Sequence, residues 1–468
     1  MKTILLFISV FLSASMFGQN VNIPDANFKA YLVGYSSINS NGDTEIQVSE
    51  ATAFAGSINC SNLGIFDLTG IEAFTALTNL NCEQNQLAIL DVSTNTDLTA
   101  LICNTNQLTI LDVSANIYLT VLGCVSNQLN SLDVSTNTNL TSLYCSANQL
   151  TSLDLSNNTA LTELISNANQ LTSLDLSANT ALTQLYCNAN QLTSLDVNTN
   201  TALTLLDCQV NQLTSLIVIA NTALTQLYCH NNQLTSLNVS ANTALWDLGC
   251  KDNQLTSLDV SANTNLIQLW CKGNQLLNLD VSANTALTNL NCGNNQIVSL
   301  DVSSNTALAI LWCYGNQLTS LDVSSNTALT LLGCYVNQLI SLDVSSNTAL
   351  ENLFCEDNQL ECLNVKNGNN TALEVVYATD NPNLTCIEVD DVNYSTTNWT
   401  DIDSQMSFST NCNNDCSSST VEINELSTSK SLIQILDLMG RETSFKPNTP
   451  LIYVYDDGSI EKVFSVEY

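Results

Sequence analysis

Leu140–Ala160 reads LTSLYCSANQLTSLDLSNNTA, and close copies of this stretch run along most of the chain. Its two halves share one apolar spacing, L-x-x-L-x-C and then L-x-x-L-D-L. Leu143 and Cys145 alternate with polar or aromatic neighbours, as do Leu153 and Leu155, which is the period-two pattern of a strand with one buried face. A half-unit of about ten residues must also supply its own turn, which leaves no room for a helix of ordinary length. One such unit cannot enclose a core. Stacked units can.

The copies are regular. Cysteine recurs every 21 residues from Cys82 to Cys355, with Ser166 filling one place, and an Asn follows three residues later without interruption from Asn85 to Asn358. This pattern predicts a continuous solenoid over 57–389, of about 16 coils and on the order of 75 Å long at parallel-strand spacing. Two parallel strand ladders are expected, with Leu, Cys and Val pointing inward. The recurring Asn is expected to satisfy backbone groups in the tight turn through its amide. The pattern L-x-x-L-x-C-x-x-N-x-L resembles that of leucine-rich repeat proteins, and L-T-S-L-D-V-S resembles the short bacterial IRREKO variant. The resemblance implies a β-rich leucine-rich repeat solenoid whose first-half strands line a concave binding face.

The ends depart from the repeat. Residues 20–56 read as an N-terminal cap with a short amphipathic helix over Ala26 to Val33, and 390–416 read as a C-terminal cap. Residues 1–19, MKTILLFISVFLSASMFGQ, have a short positive start, an apolar run from Ile4 to Leu12 and small residues near a cleavage point, the order of a secretory signal peptide. A polar, Ser-rich linker (417–420) leads to 421–468, a module with strand-like runs. There the run Asp437-Leu438-Met439-Gly440-Arg441 and the later Gly458 to Lys462 resemble the C-terminal sorting domain of the Bacteroidetes type IX secretion system. Leu451-Ile452-Tyr453 stands where that family usually starts its penultimate strand with Gly. The resemblance implies a small β-sandwich-like sorting domain, outer-membrane export through the type IX machinery, tail removal and surface anchoring.

Charge excludes several functions. The chain has 468 residues with 9 basic and 43 acidic side chains, a formal net charge of −34. Such a surface repels phosphate backbones and anionic lipid, so neither nucleic acid nor a membrane surface is expected as a partner. A single His, His230, excludes poly-His zinc sites and Ser-His-Asp or Cys-His catalysis at any second place. No run approaches the length of a membrane-spanning helix.

Binding residues are expected beside the ladder cysteines. The residue before the Cys is aromatic on every second coil: Tyr144, Tyr186, Tyr228, Trp270, Trp312 and Phe354, with Tyr314 and Tyr335 two positions later on their coils. Rungs about 4.8 Å apart place successive rings about 9.6 Å apart. Exposed rings in a row suit sugar rings, peptide side chains or another protein. Alternatively, they record duplication of a two-coil unit and merely cover the strands. Ladder cysteines are expected to be buried thiols. Cys386 and Cys412, off the grid, are the preferred disulfide, closing the end coil. An aspartate row from Asp91 to Asp343, interrupted by Ile217 and Asn238, is expected to be held by Ser and Thr hydrogen bonds, with calcium bridging as the alternative. In the N-terminal cap Asn39, Asn41, Asp43 and Glu50, with the Glu45 carbonyl, occupy EF-hand-like positions for a weak calcium site, although Thr44 stands where the loop needs Gly.

No cofactor is required by any of these motifs. They point to a secreted or cell-surface protein, not an enzyme, that recognises a protein or polysaccharide through its concave face. A structural surface or biofilm spacer is the alternative. Carboxylates repeating on a flat ladder do not converge as a hydrolase pair does.

Overall fold

In a computed structural model of the chain, the structure describes residues 18–413, 416, 432–436, 441–444, 451–455 and 460–463. The signal-like segment up to residue 17, the linker 417–420 and the D-L-x-G run at 437–440 lie outside the described residues.

The repeat folds as a parallel β-solenoid of about 17 turns. Each coil contributes one three-residue strand, such as Ser142–Tyr144, and sixteen of these form a single parallel sheet from Ser57–Asn59 to Val375–Tyr377. The register is exact: Leu122, Leu143 and Leu164 are consecutive partners. The Cys amide extends the ladder past the strand, as where Cys145 N–H donates to the Ile165 carbonyl at 2.9 Å. Inward Leu, Cys and Val side chains are fully buried in one continuous core.

Two residues after each ladder Cys the chain turns through the left-handed region, with φ near 53° at Ala189, Val210 and Asp252. The next residue is the ladder Asn, and it ties coil to coil. Asn232 Nδ2 donates to the carbonyls of Cys229 and of Cys208 on the preceding coil, while its Oδ1 accepts the Leu213 N–H. A second Asn column, from Asn95 to Asn347, does similar work on the other side. Asn242 Nδ2 donates to the Val218 and Asn221 carbonyls of the preceding coil, and its buried Oδ1 accepts no hydrogen bond.

The second strand ladder takes full form at its C-terminal end, where Ser341–Asp343, Cys362–Asn364, Cys386–Glu388 and Ser407–Ser409 pair in parallel. Elsewhere on that side the segments touch as single bridges at Asp196, Ile217 and Asn238. The changeover coincides with the end of the regular Asn column at Asn347. Up to there one Asn per 21 residues bridges the coils, and beyond it the register slips, with Asn367 still donating to the Asn347 carbonyl while strand pairing is added.

The ends are capped. Helix α1 (Ala26–Gly34) is N-capped by Asp25, whose Oδ1 accepts the Asn27 and Phe28 amides; α2 (Val48–Ala53) opens with a Gln47–Glu50 capping box. Phe28 and Leu32 of α1 are fully buried over the first coils. At the other end α3 (Val392–Asn398) leads to Trp399, buried, with its Nε1 donating to the Leu373 carbonyl at 3.0 Å. A Cys386–Cys412 disulfide, Cα atoms 5.8 Å apart, fastens the strand Cys386–Glu388 to the chain beyond Ser407–Ser409. Neither Cys362 nor Cys416 is a free thiol.

Residues 1–415 and 416–468 are separate compact units. The second contains a three-stranded antiparallel sheet of Leu432–Leu436, Leu451–Tyr455 and Ile460–Val463.

Candidate recognition face

Between the first and last strands of the main sheet each has the form x-L-x, with Ile58 and Val376 taking the central place at the two ends, so the central side chain enters the core and its flanking side chains stand on one outer face. The residue before the Cys therefore lies in register with its equivalents above and below. Tyr144, Tyr186, Tyr228, Trp270, Trp312 and Phe354 all occupy this position, and all are half-buried rather than free in solvent. Tyr314 and Tyr335 stand two residues further along their own coils and are likewise half-buried.

From Trp312 onward the rings do not stand apart at two-rung intervals. Trp312 and Phe354 stack with centroids 5.5 Å apart and planes 28° from parallel. Between them on the intervening coil is Gly333, paired with both, where a Cβ would collide with the Trp312 ring. A missing side chain lets Trp312 lean over and close the gap. Tyr314 leans the other way, lying flat over Gly293, and Tyr335 stacks on it at 4.5 Å and 3°. Both tyrosines meet Trp312 edge-on, and Tyr377, 41% exposed, meets Phe354 edge-on. Five rings thus form one patch over the coils from Trp312 to Tyr377. Tyr377 escaped the sequence pattern because Ala378 replaces the ladder Cys after it, although its position before that residue is the same.

Further toward the N-terminus three of the rings, Tyr144, Tyr228 and Trp270, make polar contacts. Tyr144 Oη donates to Glu163 at 2.7 Å, and Tyr228 Oη donates to Asp247 at 2.7 Å while accepting from Gln226. Trp270 Nε1 donates to Gln268 at 3.3 Å, and no other aromatic ring stacks on it among the described residues. Burial raises the Asp207 and Asp247 carboxyls above the ordinary aspartate range. It pushes His230 down to about 4, with help from Lys251, so this imidazole is neutral at pH 7.

The cysteine ladder is chemically quiet. All fourteen free cysteines are buried, and burial pushes Cys145 and Cys292 up to about 12. These are thiols acting as small apolar side chains, without the thiolate a nucleophile needs. On the opposite side each row aspartate caps its own turn, as where Asp112 Oδ1 accepts the Ser114 N–H at 2.9 Å. Hydrogen bonds from Ser114 lower the Asp112 carboxyl.

In the N-terminal cap the proposed calcium oxygens already accept hydrogen bonds. Glu50 takes the Ser40 and Asn41 amides, the Ser40 hydroxyl and the Gln47 amide. Asp43 takes the Glu45 amide and the Asn41 and Gln47 side chains, and Asn39 Oδ1 takes the Gly42 amide. Among the described residues no three His, Cys, Asp or Glu side chains converge as a metal set, and no helix is long and apolar enough to cross a membrane.

A scan against protein-family models finds no match, and neither does a search of curated proteins. Solved structures do match. The functional domain of InlJ from Listeria monocytogenes, described as including a cysteine ladder, is 38% identical, with a TM-score of 0.63 over 71% of this chain and 79% of that one. A leucine-rich repeat protein of Leptospira interrogans is 24% identical (TM-score 0.62, 77% of this chain and 97% of that one). An internalin of Listeria monocytogenes is 23% identical (TM-score 0.58, 74% and 98%) and, like the Leptospira protein, supports the fold alone. With its 21-residue period, its inward Leu and Cys ladders, its Asn columns and its identity to the InlJ domain, the chain belongs to the leucine-rich repeat family.

Proposed function

We propose that this is a secreted or cell-surface binding protein that recognises a protein or glycan partner through the outer face of its main sheet. One observation carries the reading: the five-ring patch of Trp312, Tyr314, Tyr335, Phe354 and Tyr377 on a face that the coils leave uncovered. Solenoids of this kind offer extended binding surfaces, and clustered Trp and Tyr side chains are the residues that most often anchor interfaces. Tyr144, Tyr186, Tyr228 and Trp270 extend the same face toward the N-terminus. The spacer reading draws support from the Tyr144 and Tyr228 hydroxyls, which are already bonded within the sheet.

A glycan array and a pull-down with the full chain, each repeated with Trp312→Ala, separate the two. A partner lost on substitution supports recognition; no partner in either format supports the spacer. Export through the N-terminal signal, and sorting by 421–468 through the type IX secretion machinery, belong to the same proposal. Deleting 421–468 should leave the folded repeat domain in the periplasm, and normal surface display of that truncation would refute the sorting role. Calcium is not required in this reading. A weak site at Asn39, Asn41, Asp43 and Glu50 would have to displace the loop's own hydrogen bonds, and calorimetric titration with calcium tests it.

A further inference from the structure

We propose that Lys251, Lys272 and Trp270 form a subsite for an anionic sugar residue, carboxylated or sulfated, within the glycan recognised by the sheet face. The inference rests on the recognition reading above and adds the chemical class of the ligand.

Basic residues are scarce enough that their placement is informative. Of the 9 in the chain, only Lys29, Lys251, Lys272 and Lys366 fall between the signal-like segment and the tail. The two at the ends have partners. Lys29 pairs with Glu45 at 2.6 Å, and Lys366 lies 3.5 Å from Glu388. The other two stand at one repeat position on adjacent coils, each directly after its ladder Cys, and neither forms an ion pair among the described residues. Like charges at one repeat position on adjacent coils repel one another. Their neighbours in the row are His230, whose imidazole is neutral at pH 7, and Gly293, over which the Tyr314 ring lies with its centroid 5.8 Å from Lys272 Nζ. Tyr314 is the nearest polar influence on Lys272, and the Asp252 carboxylate is a weaker one that closes no ion pair with it. A small anion bound between the two lysines would remove the repulsion.

Trp270 supplies the sugar chemistry. It is on the same coil as Lys272, two residues before it, and no other ring stacks on its face among the described residues. Trp312, by contrast, is stacked on Phe354, and Tyr314 on Tyr335, so those faces are already in use. A pyranose lays its C–H face on an indole, and a carboxylate or sulfate at its rim then reaches the lysines. An acidic peptide would use the lysines and leave the indole face idle, which favours the sugar. The net charge of −34 opposes a dense polyanion. It opposes a short or sparsely charged glycan far less, because charges beyond about 8 Å are screened at physiological salt.

The test is calorimetric titration of the full chain, in calcium-free buffer at physiological salt, with four probes. These are a short oligogalacturonate, its methyl ester, a sulfated disaccharide and an oligoglutamate. The acidic sugars should bind at least tenfold more tightly than the ester and the peptide. The double variant Lys251→Gln/Lys272→Gln should remove that preference, and Trp270→Ala should weaken both sugars. Preference for the oligogalacturonate identifies a carboxylated residue; preference for the disaccharide identifies a sulfated one. Equal binding of acid and ester, equal binding of the peptide, or an unchanged affinity in the lysine variant overturns the subsite. If neither acidic sugar binds while a partner sensitive to Trp312→Ala is found, the subsite fails and the recognition face stands. Melting curves of the variants confirm that they fold.

Discussion

Trp312 and Phe354 belong to coils two apart, yet their rings stack 5.5 Å from centroid to centroid because Gly333 between them has no side chain. Gly333 has ordinary negative φ, so the requirement is space alone. Gly333→Ala should therefore push Trp312 off Phe354 and cost roughly 1–3 kcal/mol, the range for overpacking a filled site. Urea unfolding and near-ultraviolet circular dichroism report the two effects. An unchanged aromatic signal with unchanged stability would mean that the ring swings aside freely.

Half of this relationship was legible in the sequence. The 21-residue grid places Trp312, Gly333 and Phe354 on consecutive rungs, so their order could be read directly. What the grid cannot state is lean. Rung spacing alone gives about 9.6 Å between the rings, and only packing reveals that a ring tilts toward whichever neighbour lacks a Cβ. The first Asn column was legible for a similar reason, because Asn85 to Asn358 never skips a coil. The second column was not singled out, because S-x-N-T reads locally as an ordinary turn. Its role exists only between coils, where Asn242 reaches the Val218 and Asn221 carbonyls.

The division between face and core can be tested within one strand. Leu269 is fully buried, whereas Trp270 beside it is half-buried on the outer face. Leu269→Ala should cost roughly 2–5 kcal/mol through the cavity it leaves. Trp270→Ala should cost less stability but lose roughly 1–3 kcal/mol of affinity for a bound partner, as a hot-spot aromatic does. Thermal melts paired with binding decide. Equal destabilisation by both substitutions would make Trp270 a core residue.

Val210 and Val336 are strained by their place in the repeat. Each holds φ near 52° in the left-handed turn, a position that Gly273 and Gly315 fill on other coils, and both valines are close to half exposed. A β-branched residue pays about 1–2 kcal/mol there, which Asn largely avoids through its short polar side chain. Val210→Asn should stabilise the protein by about 1 kcal/mol, and Val336→Asn similarly, measured by urea midpoint. The reverse change, Gly273→Val, should destabilise, because its Cβ would also strike the Asp252 carboxylate. A loss of stability in Val210→Asn would show that the valine's packing outweighs its backbone strain.

Asp247 should give the solenoid a pH dependence opposite to that of the aspartate row. Its residue is only 6% exposed, its Oδ2 accepts from Tyr228 and its Oδ1 has no partner, so burial raises its carboxyl pKa. The folded state thus holds the proton more tightly than the unfolded state, whose aspartates titrate near 3.9. The contribution to stability is fully present below that value and is lost as pH rises through the folded pKa. Asp112 has the reverse sign. Serine hydrogen bonds lower its carboxyl, so its contribution is present above about 3.9 and is lost as pH falls through the folded pKa. Asp247→Asn keeps an acceptor for Tyr228 and removes the buried charge, and it should melt higher than the parent at pH 7. That gain should shrink toward zero below about pH 3.9, where the parent carboxyl is protonated in both states. Melting curves from pH 3 to pH 7 make the comparison. A variant that melts lower at pH 7, or whose gain grows as pH falls, would show that the Asp247 carboxylate is stabilised in place by its surroundings.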